Sequence, residues 1–393
     1  MSVMVTDAHL RFSREVVQSL GRKKIAITVA GEDGLRNSAC YSKFIKNRIL
    51  YPNPDREDTF TKFMLEASKG HEVLIPIHTR TIIPISKRLS EFKRIVKIPI
   101  PDYETLKIAL DKSRLIRLAQ GVGIPTPRTW FVDALNQLPS VCNKMSYPVV
   151  IKLRQDAFIP PPRYIYAYSP PDFLSKYRLM HNKCSYPLVQ EFVPGVGYGF
   201  FALFNEKHMP VAVFCHKRLR EYPITGGPSA YCESAYDGQL VTLGLRLLTS
   251  MKWYGVAMVE FRRDVRDCSF KLMEVNPRFW GSLGLPIHAG VDFPAILYDM
   301  VAGKSIKAFP KYLVNKKWRL LLKDIYSLNQ GIHETPCKVE CLERFISSFF
   351  DKHVSYGDAD PHDLGPLAYE MGCAIVKRFK IFNRLITRNA NSM

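Results

Sequence analysis

Residues 271–281 read KLMEVNPRFWG, and how this stretch is read decides the fold. Leu272, Met273 and Val275 are strand formers, yet the run delivers Glu274 and, two positions on, Asn276. In an extended strand a spacing of two puts both side chains on one face. Upstream, GVAMVEF at 255–261 is a second apolar run that carries Glu260, and the connection RRDVRDCS has turn character. Neighbouring antiparallel strands would set Glu260, Glu274 and Asn276 on one patch of one face. The flanking residues are bulky and apolar, so the strands are expected to be buried, and a buried carboxylate needs a partner. Three hard oxygen ligands at this spacing suit magnesium or manganese, which takes a carboxylate or two together with substrate phosphates. The expected occupant is a nucleoside triphosphate with its cation.

The rest of the composition narrows the class. A chain of 393 residues that is 47% hydrophobic can build the cores of two or three domains. MSVMVTDAHLRFSREVV lacks the apolar core of a signal peptide, and no later run is long enough to span a bilayer. The nine cysteines are scattered singly apart from Cys337 and Cys341, which fits reduced thiols in a cytoplasmic protein. His333, Cys337 and Cys341 have helical spacing but no fourth ligand nearby, so they do not make a zinc site. The net charge of +20 is spread along the chain without long basic runs. It implies attraction to anionic ligands rather than a nucleic-acid footprint. No G-x-S-x-G nucleophile motif occurs.

Along the chain, Ser2 to Val5, a helical pattern over 8–20 and the strand KIAITVAG make a β-α-β opening. HEVLIPI at 71–77 and RIVKIPI at 94–100 are expected to extend it into a parallel sheet covered by helices. No G-x-G-x-x-G follows the first strand, so a dinucleotide is not expected there. ETLKIALDKSRLIRLAQGVGIPTPRTW predicts one amphipathic helix stopped by Gly121 and Gly123. Strands are predicted at 148–153, 186–193, FFALFN, PVAVFCHKRLREY, GVAMVEF and FKLMEVN, an α+β section dominated by antiparallel pairs. From residue 306 helices with lysine and tryptophan are expected, then a loop-rich stretch near 353–366. In the last element Ile375, Phe379, Phe382 and Ile386 share a face, with Lys377, Arg378, Lys380, Arg384 and Arg388 between them. Such a helix packs on the protein's own core or lies on an anionic membrane or partner.

The pairing of VEF at 259–261 with MEVNPRFWGS at 273–282 resembles the ATP-grasp superfamily, in the branch of carbamoyl phosphate synthetase and predicted carboxylate-amine ligases. The likeness covers about residues 1–305, because that family also has a parallel-sheet domain ahead of its ATP-binding subdomains. It implies an α/β plus α+β architecture with three parts: a Rossmann-like pre-ATP-grasp domain over 1–104, an ATP-grasp domain over 105–305 and a mainly helical, basic extension over 306–393. The resemblance makes Glu260, Glu274 and Asn276 the metal ligands and gives Arg278 the charge of the transferred phosphoryl group or acyl phosphate. Lys112 in ALDKSRL and Lys152 in VVIKLR resemble the family's two phosphate-contacting lysines. LVQEFVPG resembles the hinge that hydrogen-bonds adenine, with Gln190, Glu191, Phe192 and Val193 as its members.

Two departures stand out. Where relatives carry a glycine-rich phosphate loop after the Lys152 position, this chain has RQDAFIPPPRYIY, whose prolines supply no amide donor. Arg154 or Arg163 is the substitute charge. Past the hinge the sequence is GVGYGFF, which leaves Glu191 as the nearby candidate for a ribose contact.

For the second substrate, His216, Arg218 and Arg220 recur at spacing two in FCHKRLREY, and Thr225, Gly226 and Gly227 follow in a turn. Fixed positive charge beside backbone amides is what a carboxylate or acyl-phosphate pocket needs. The expected function is an ADP-forming carboxylate-amine ligase that uses ATP and magnesium on small, amino-acid- or peptide-like substrates, and the resemblance implies a homodimer, since relatives are often dimers. The other reading is an ATP-binding regulatory or scaffold protein without turnover, docking through its basic C-terminal helix.

Overall fold

The computed structural model describes residues 2–155, 159–306, 309–334 and 337–376. The N-terminal part runs β1 (Ser2–Val5), α1 (Arg11–Arg22), β2 (Ala26–Glu32), β3 (Ile45–Tyr51), α2 (Glu57–Ser68), β4 (Val73–Ile75), α3 (Thr79–Lys87) and α4 (Leu89–Lys93). The strands pair in parallel in the order β3-β2-β1-β4. Uninterrupted apolar runs such as VMV in β1 and VLI in β4 are buried on both faces, as a parallel sheet between helices demands. Val16, Val17 and Leu20 of α1 close one side of that sheet.

RIVKIPI is not a strand. Only Lys97 reaches the edge of β4, accepting from Leu74 at 2.9 Å and donating to Glu72 at 3.0 Å. Pro99 and Pro101 have no N–H to continue a ladder, so Val96, Ile98 and Ile100 enter the core as an extended connection. That connection also presses on the central sheet. Gly255, at φ +87°, stands where a Cβ would lie 2.1 Å from the Pro99 carbonyl.

The expected single helix that starts at Glu104 and stops at Gly121 is two, α5 (Tyr103–Leu110) and α6 (Lys112–Gly121). Asp111 between them leaves the helical region and its carboxylate accepts from the amides of Ser113 and Arg114, capping α6. The break sets Lys112 at the first position of α6, with its amide bonded to the Arg154 carbonyl at 3.0 Å.

A small sheet follows from β5 (Thr129–Trp130), α7 (Leu138–Cys142), β6 (Val149–Lys152), β7 (Tyr164–Ala167), α8 (Pro170–Lys183) and β8 (Leu188–Glu191), ordered β5-β8-β6-β7 and antiparallel. Its own core includes Ile151, Phe173 and Tyr177. The central sheet comes from β9 (Gly195–Phe204), β10 (Pro210–Glu221), β11 (Ser229–Ala235), α9 (Gly238–Ser250), β12 (Gly255–Asp264) and β13 (Phe270–Asn276). Alternation along β9 sends Phe200 and Ala202 toward α6 and α9, and Phe201 and Leu203 toward the N-terminal sheet.

The chain ends with α10 (Gly284–Ala289), α11 (Phe293–Val301), β14 (Lys317–Arg319), α12 (Leu321–Glu334), α13 (Lys338–Ser347), β15 (Val354–Tyr356) and a helix over 365–376. The extension is largely helical, but Trp318 lies on a strand: β14 and β15 complete the central sheet in the order β13-β12-β9-β10-β11-β14-β15. Ile375 lies in the final described helix. Lys377, Arg378, Phe379, Lys380, Phe382, Arg384, Ile386 and Arg388 fall outside the described residues.

Candidate active site

The hairpin of β12 and β13 forms one wall of a cavity of about 440 Å³, a size within the usual range for small-ligand sites. Glu260 and Glu274 are direct cross-strand partners, and Asn276 follows one pleat on. The Asn276 amide nitrogen donates to Glu260 Oε1 at 3.1 Å and to Glu274 Oε1 at 2.9 Å, and its Oδ1 accepts from Arg278 at 3.0 Å. Like charges directly opposite each other in a sheet are destabilising. The surroundings treat the two acids differently. Burial, opposed by Arg218 and reinforced by Glu274, raises the Glu260 pKa. For Glu274 burial acts in the same direction but is outweighed by Lys112, the Asn276 hydrogen bond, Lys152 and Arg278, and its pKa falls.

This set fits a divalent cation. Both carboxylates converge on one point, now taken by the amide N–H of Asn276, and rotating that amide would place Oδ1 beside them as a third hard oxygen.

Lys152 ends β6 and lines the same cavity, its Nζ 4.0 Å from Met273 Sδ. Burial, partly offset by Glu274, pushes its pKa down to about 8. Lys112, Glu191, Phe192 and Val193 line the cavity too. Gln190 does not: its side chain is buried and donates to Thr129 at 3.1 Å. Glu191 is held by the Arg128 amide at 2.9 Å and by Arg266 at 3.2 Å. Of the two substitute arginines, Arg163 lines the cavity, whereas Arg154 donates to the Val132 carbonyl and pairs with Asp133.

The residues assigned to the second substrate divide. His216, Arg218 and Arg220 do not act on one surface, and a β-bulge between Arg218 and Arg220 takes Arg220 out of the alternation. His216 is buried against Phe201 at 4.8 Å beside Ser282, and burial holds its pKa well below the ordinary value, so it is a neutral core residue. Arg220 turns to the C-terminal extension and clamps Asp324 at 2.5 and 2.8 Å. Arg218 lines the cavity but is spent on Glu260, Glu221 and the Gly227 carbonyl.

Thr225, Gly226 and Gly227 line the cavity, yet the amides of Gly226 and Gly227 both donate to Pro223 at 3.2 and 2.8 Å. Tight closure of this turn, in which a Gly227 Cβ would lie 2.1 Å from the Tyr222 carbonyl, turns those donors inward. They do not form the expected anion nest. Instead the loop bridges subdomains: its Thr225 carbonyl accepts from Tyr166 of β7, and α12 holds its start through Ser327 on Glu221 and Gln330 on Ile224.

The sequence reading missed several wall residues. Tyr164 and Tyr166 project from β7, and Arg262 follows Glu260 on β12. His78 and Thr79 belong to the N-terminal part, just after β4. The end of a parallel strand is where open α/β sheets bind ligands, a signal that could have found the last two.

The comparisons agree with this architecture. The family model described as "ATP-grasp in the biosynthetic pathway with Ter operon" matches residues 205–318. Among solved structures, the biotin carboxylase domain of 2-oxoglutarate carboxylase from Hydrogenobacter thermophilus, with MgADP, ADP and bicarbonate, is similar over 80% of this chain and 73% of its own. That match has a TM-score of 0.63 at 14% identity. N5-carboxyaminoimidazole synthetase from Staphylococcus aureus with ADP is 14% identical over 79% of this chain and 80% of its own, TM-score 0.63. The L-amino acid ligase from Bacillus licheniformis is 13% identical over 78% and 77%, TM-score 0.58. No curated protein matches the chain. At these identities the likeness is one of fold, and this is an ATP-grasp fold with the superfamily resemblance borne out.

Proposed function

We propose that the chain is an ADP-forming ligase that activates a carboxylate with ATP for attack by an amine. The observation that carries this reading is the pair of opposed carboxylates sharing one amide, faced by a buried lysine within one cavity. The ADP complexes of two structural neighbours, and the ligase named for a third, support it.

In this reading Lys152 and Lys112 bind the phosphates, the strand end from Glu191 to Val193 borders the base, and Arg278 meets the charge that develops on the transferred group. Glu260, Glu274 and Asn276 would hold the magnesium ion, which supplies charge neutralisation between the phosphates when bound. The substrate carboxylate attacks the γ-phosphorus and ADP leaves. The amine then attacks the acyl carbon, phosphate departs and a C–N bond remains. Neither Arg220 nor His216 takes part.

A non-catalytic nucleotide-binding protein is favoured by one observation, the proline-rich segment in place of a phosphate loop together with the inward amides of Gly226 and Gly227. Incubation with ATP, magnesium and pooled amino acids separates the two. The ligase reading expects substrate-dependent ADP release and a condensation product in the wild type, and neither from Glu274→Gln. Tight nucleotide binding without either product supports the alternative. A homodimer belongs to the same proposal, since the biotin carboxylase neighbour is described as a dimer. Among the described residues no helix is long and apolar enough to cross a membrane.

A further inference from the structure

Helix α3 begins at the cavity wall. Its cap residue His78 and its first residue Thr79 both line the cavity. Thr79 is 8% exposed, and among the described residues neither its hydroxyl nor its amide N–H has a hydrogen-bond partner. A nearly buried residue in the cavity wall whose hydroxyl and amide have no protein partner marks a position that a ligand completes.

The neighbours define the ligand's charge. His78 Nδ1 accepts the Arg80 amide at 3.3 Å, which leaves the ring proton on Nε2. Burial, only partly opposed by Asp7, pushes the His78 pKa down to about 4, so the ring is a neutral donor at pH 7. Arg278, also in the cavity wall, acts on the same ring. The aligned peptide dipoles of α3 add positive potential at this end. Glu274 shares the cavity wall and interacts with Arg278, whereas Asp7 beneath the helix start is sealed off. Its carboxylate is 2% exposed and takes hydrogen bonds from Thr6, Tyr51, Thr81 and the amides of Ile77 and His78. It therefore fixes the start of the helix rather than the chemistry of its exposed side.

We propose that the start of α3 is a carboxylate subsite, in which Thr79, His78 and Arg278 receive a carboxylate of the acidic substrate. The donors are a hydroxyl, an amide, a neutral imidazole N–H and one guanidinium, a set matched to a single compact anion. The groups assigned to the nucleotide phosphates, Lys112 and Lys152, come from α6 and β6 instead. This subsite deepens the ligase reading and rests on it. It also supplies the acid-binding role that Arg220 and His216 do not fill.

The probe is malonate, titrated calorimetrically into the full chain with and without saturating magnesium and ADP. Thr79→Val keeps the shape and removes the hydroxyl, whereas Thr79→Ser restores it. A hydrogen bond to a charged group predicts that the valine variant binds malonate about 10- to 100-fold more weakly, and that the serine variant returns to within about threefold of wild type. ADP affinity should be the same in all three. Equal malonate affinity in wild type and Thr79→Val, or no malonate binding by the wild type, overturns the subsite. Loss of ADP affinity in Thr79→Val also overturns it, by assigning these donors to a nucleotide phosphate. Malonate binding that depends on Thr79 in a protein that fails to bind ADP upholds the subsite and removes the nucleotide reading instead.

Discussion

Replacing Lys152 with methionine should stabilise the ligand-free protein while abolishing tight nucleotide binding. The ammonium group sits in a cavity wall at the end of a strand whose preceding residues are buried, and its pKa is pushed from an ordinary 10.5 to about 8, chiefly by burial. At about 1.36 kcal/mol per tenfold change in proton affinity, holding the charge there costs about 3 kcal/mol. Solvent in the cavity screens part of this, so about 1–3 kcal/mol is expected.

The sign follows from linkage. The folded pKa lies below the unfolded one, so the unfolded chain binds more protons in between. The cost is complete below pH 8 and vanishes as pH rises toward 10.5. Methionine removes it. Urea unfolding without ligand should therefore show Lys152→Met more stable than wild type at pH 7, with the gap shrinking to under about 1 kcal/mol by pH 10. Adding ATP and magnesium should reverse the order, since a ligand stabilises only the form that binds it. A variant less stable than wild type at pH 7 without ligand, or stabilised equally by ATP, would refute the reasoning.

Asp324 is wholly buried between Arg220 and Arg319, and Asp324→Ala strands both guanidinium groups, so a loss of about 3–5 kcal/mol in chemical denaturation is expected. The depressed pKa of Glu274 gives a second pH-dependent outcome. A group of this kind contributes stability above its unfolded pKa and loses it as pH falls through the folded one. Ligand-free Glu274→Gln should thus be less stable than wild type at pH 7 and converge with it in acid, as urea midpoints at several pH values would show.

The face that carries Glu260, Glu274 and Asn276 was legible because alternation in β12 and β13 is a local property, whereas the register shift between Glu260 and Phe261 that belongs to the Glu260–Glu274 pairing was not. Lys152 could be read for the same reason, as a lone cation closing an apolar strand. Spacing failed for Arg220 because one extra residue in β10 is enough to reverse a face, and nothing in FCHKRLREY announces a bulge; His216 keeps the alternation but is packed against Phe201. The 94–100 segment has the composition of a strand, but its prolines decide against the ladder. The break at Asp111 was visible in principle as an Asp followed by helix formers. Thr79 was not readable at all, since its meaning lies in the partners it lacks once the chain has folded.

The central claim is that Glu260, Glu274 and Asn276 together receive the cation of a bound nucleotide. Calorimetric titration of ATP into wild type and Glu274→Gln, each with and without magnesium, tests it most directly. The account predicts that magnesium strengthens ATP binding by the wild type, and that Glu274→Gln loses this gain. If the variant keeps the full magnesium dependence of the wild type, the cation is held elsewhere and the account fails.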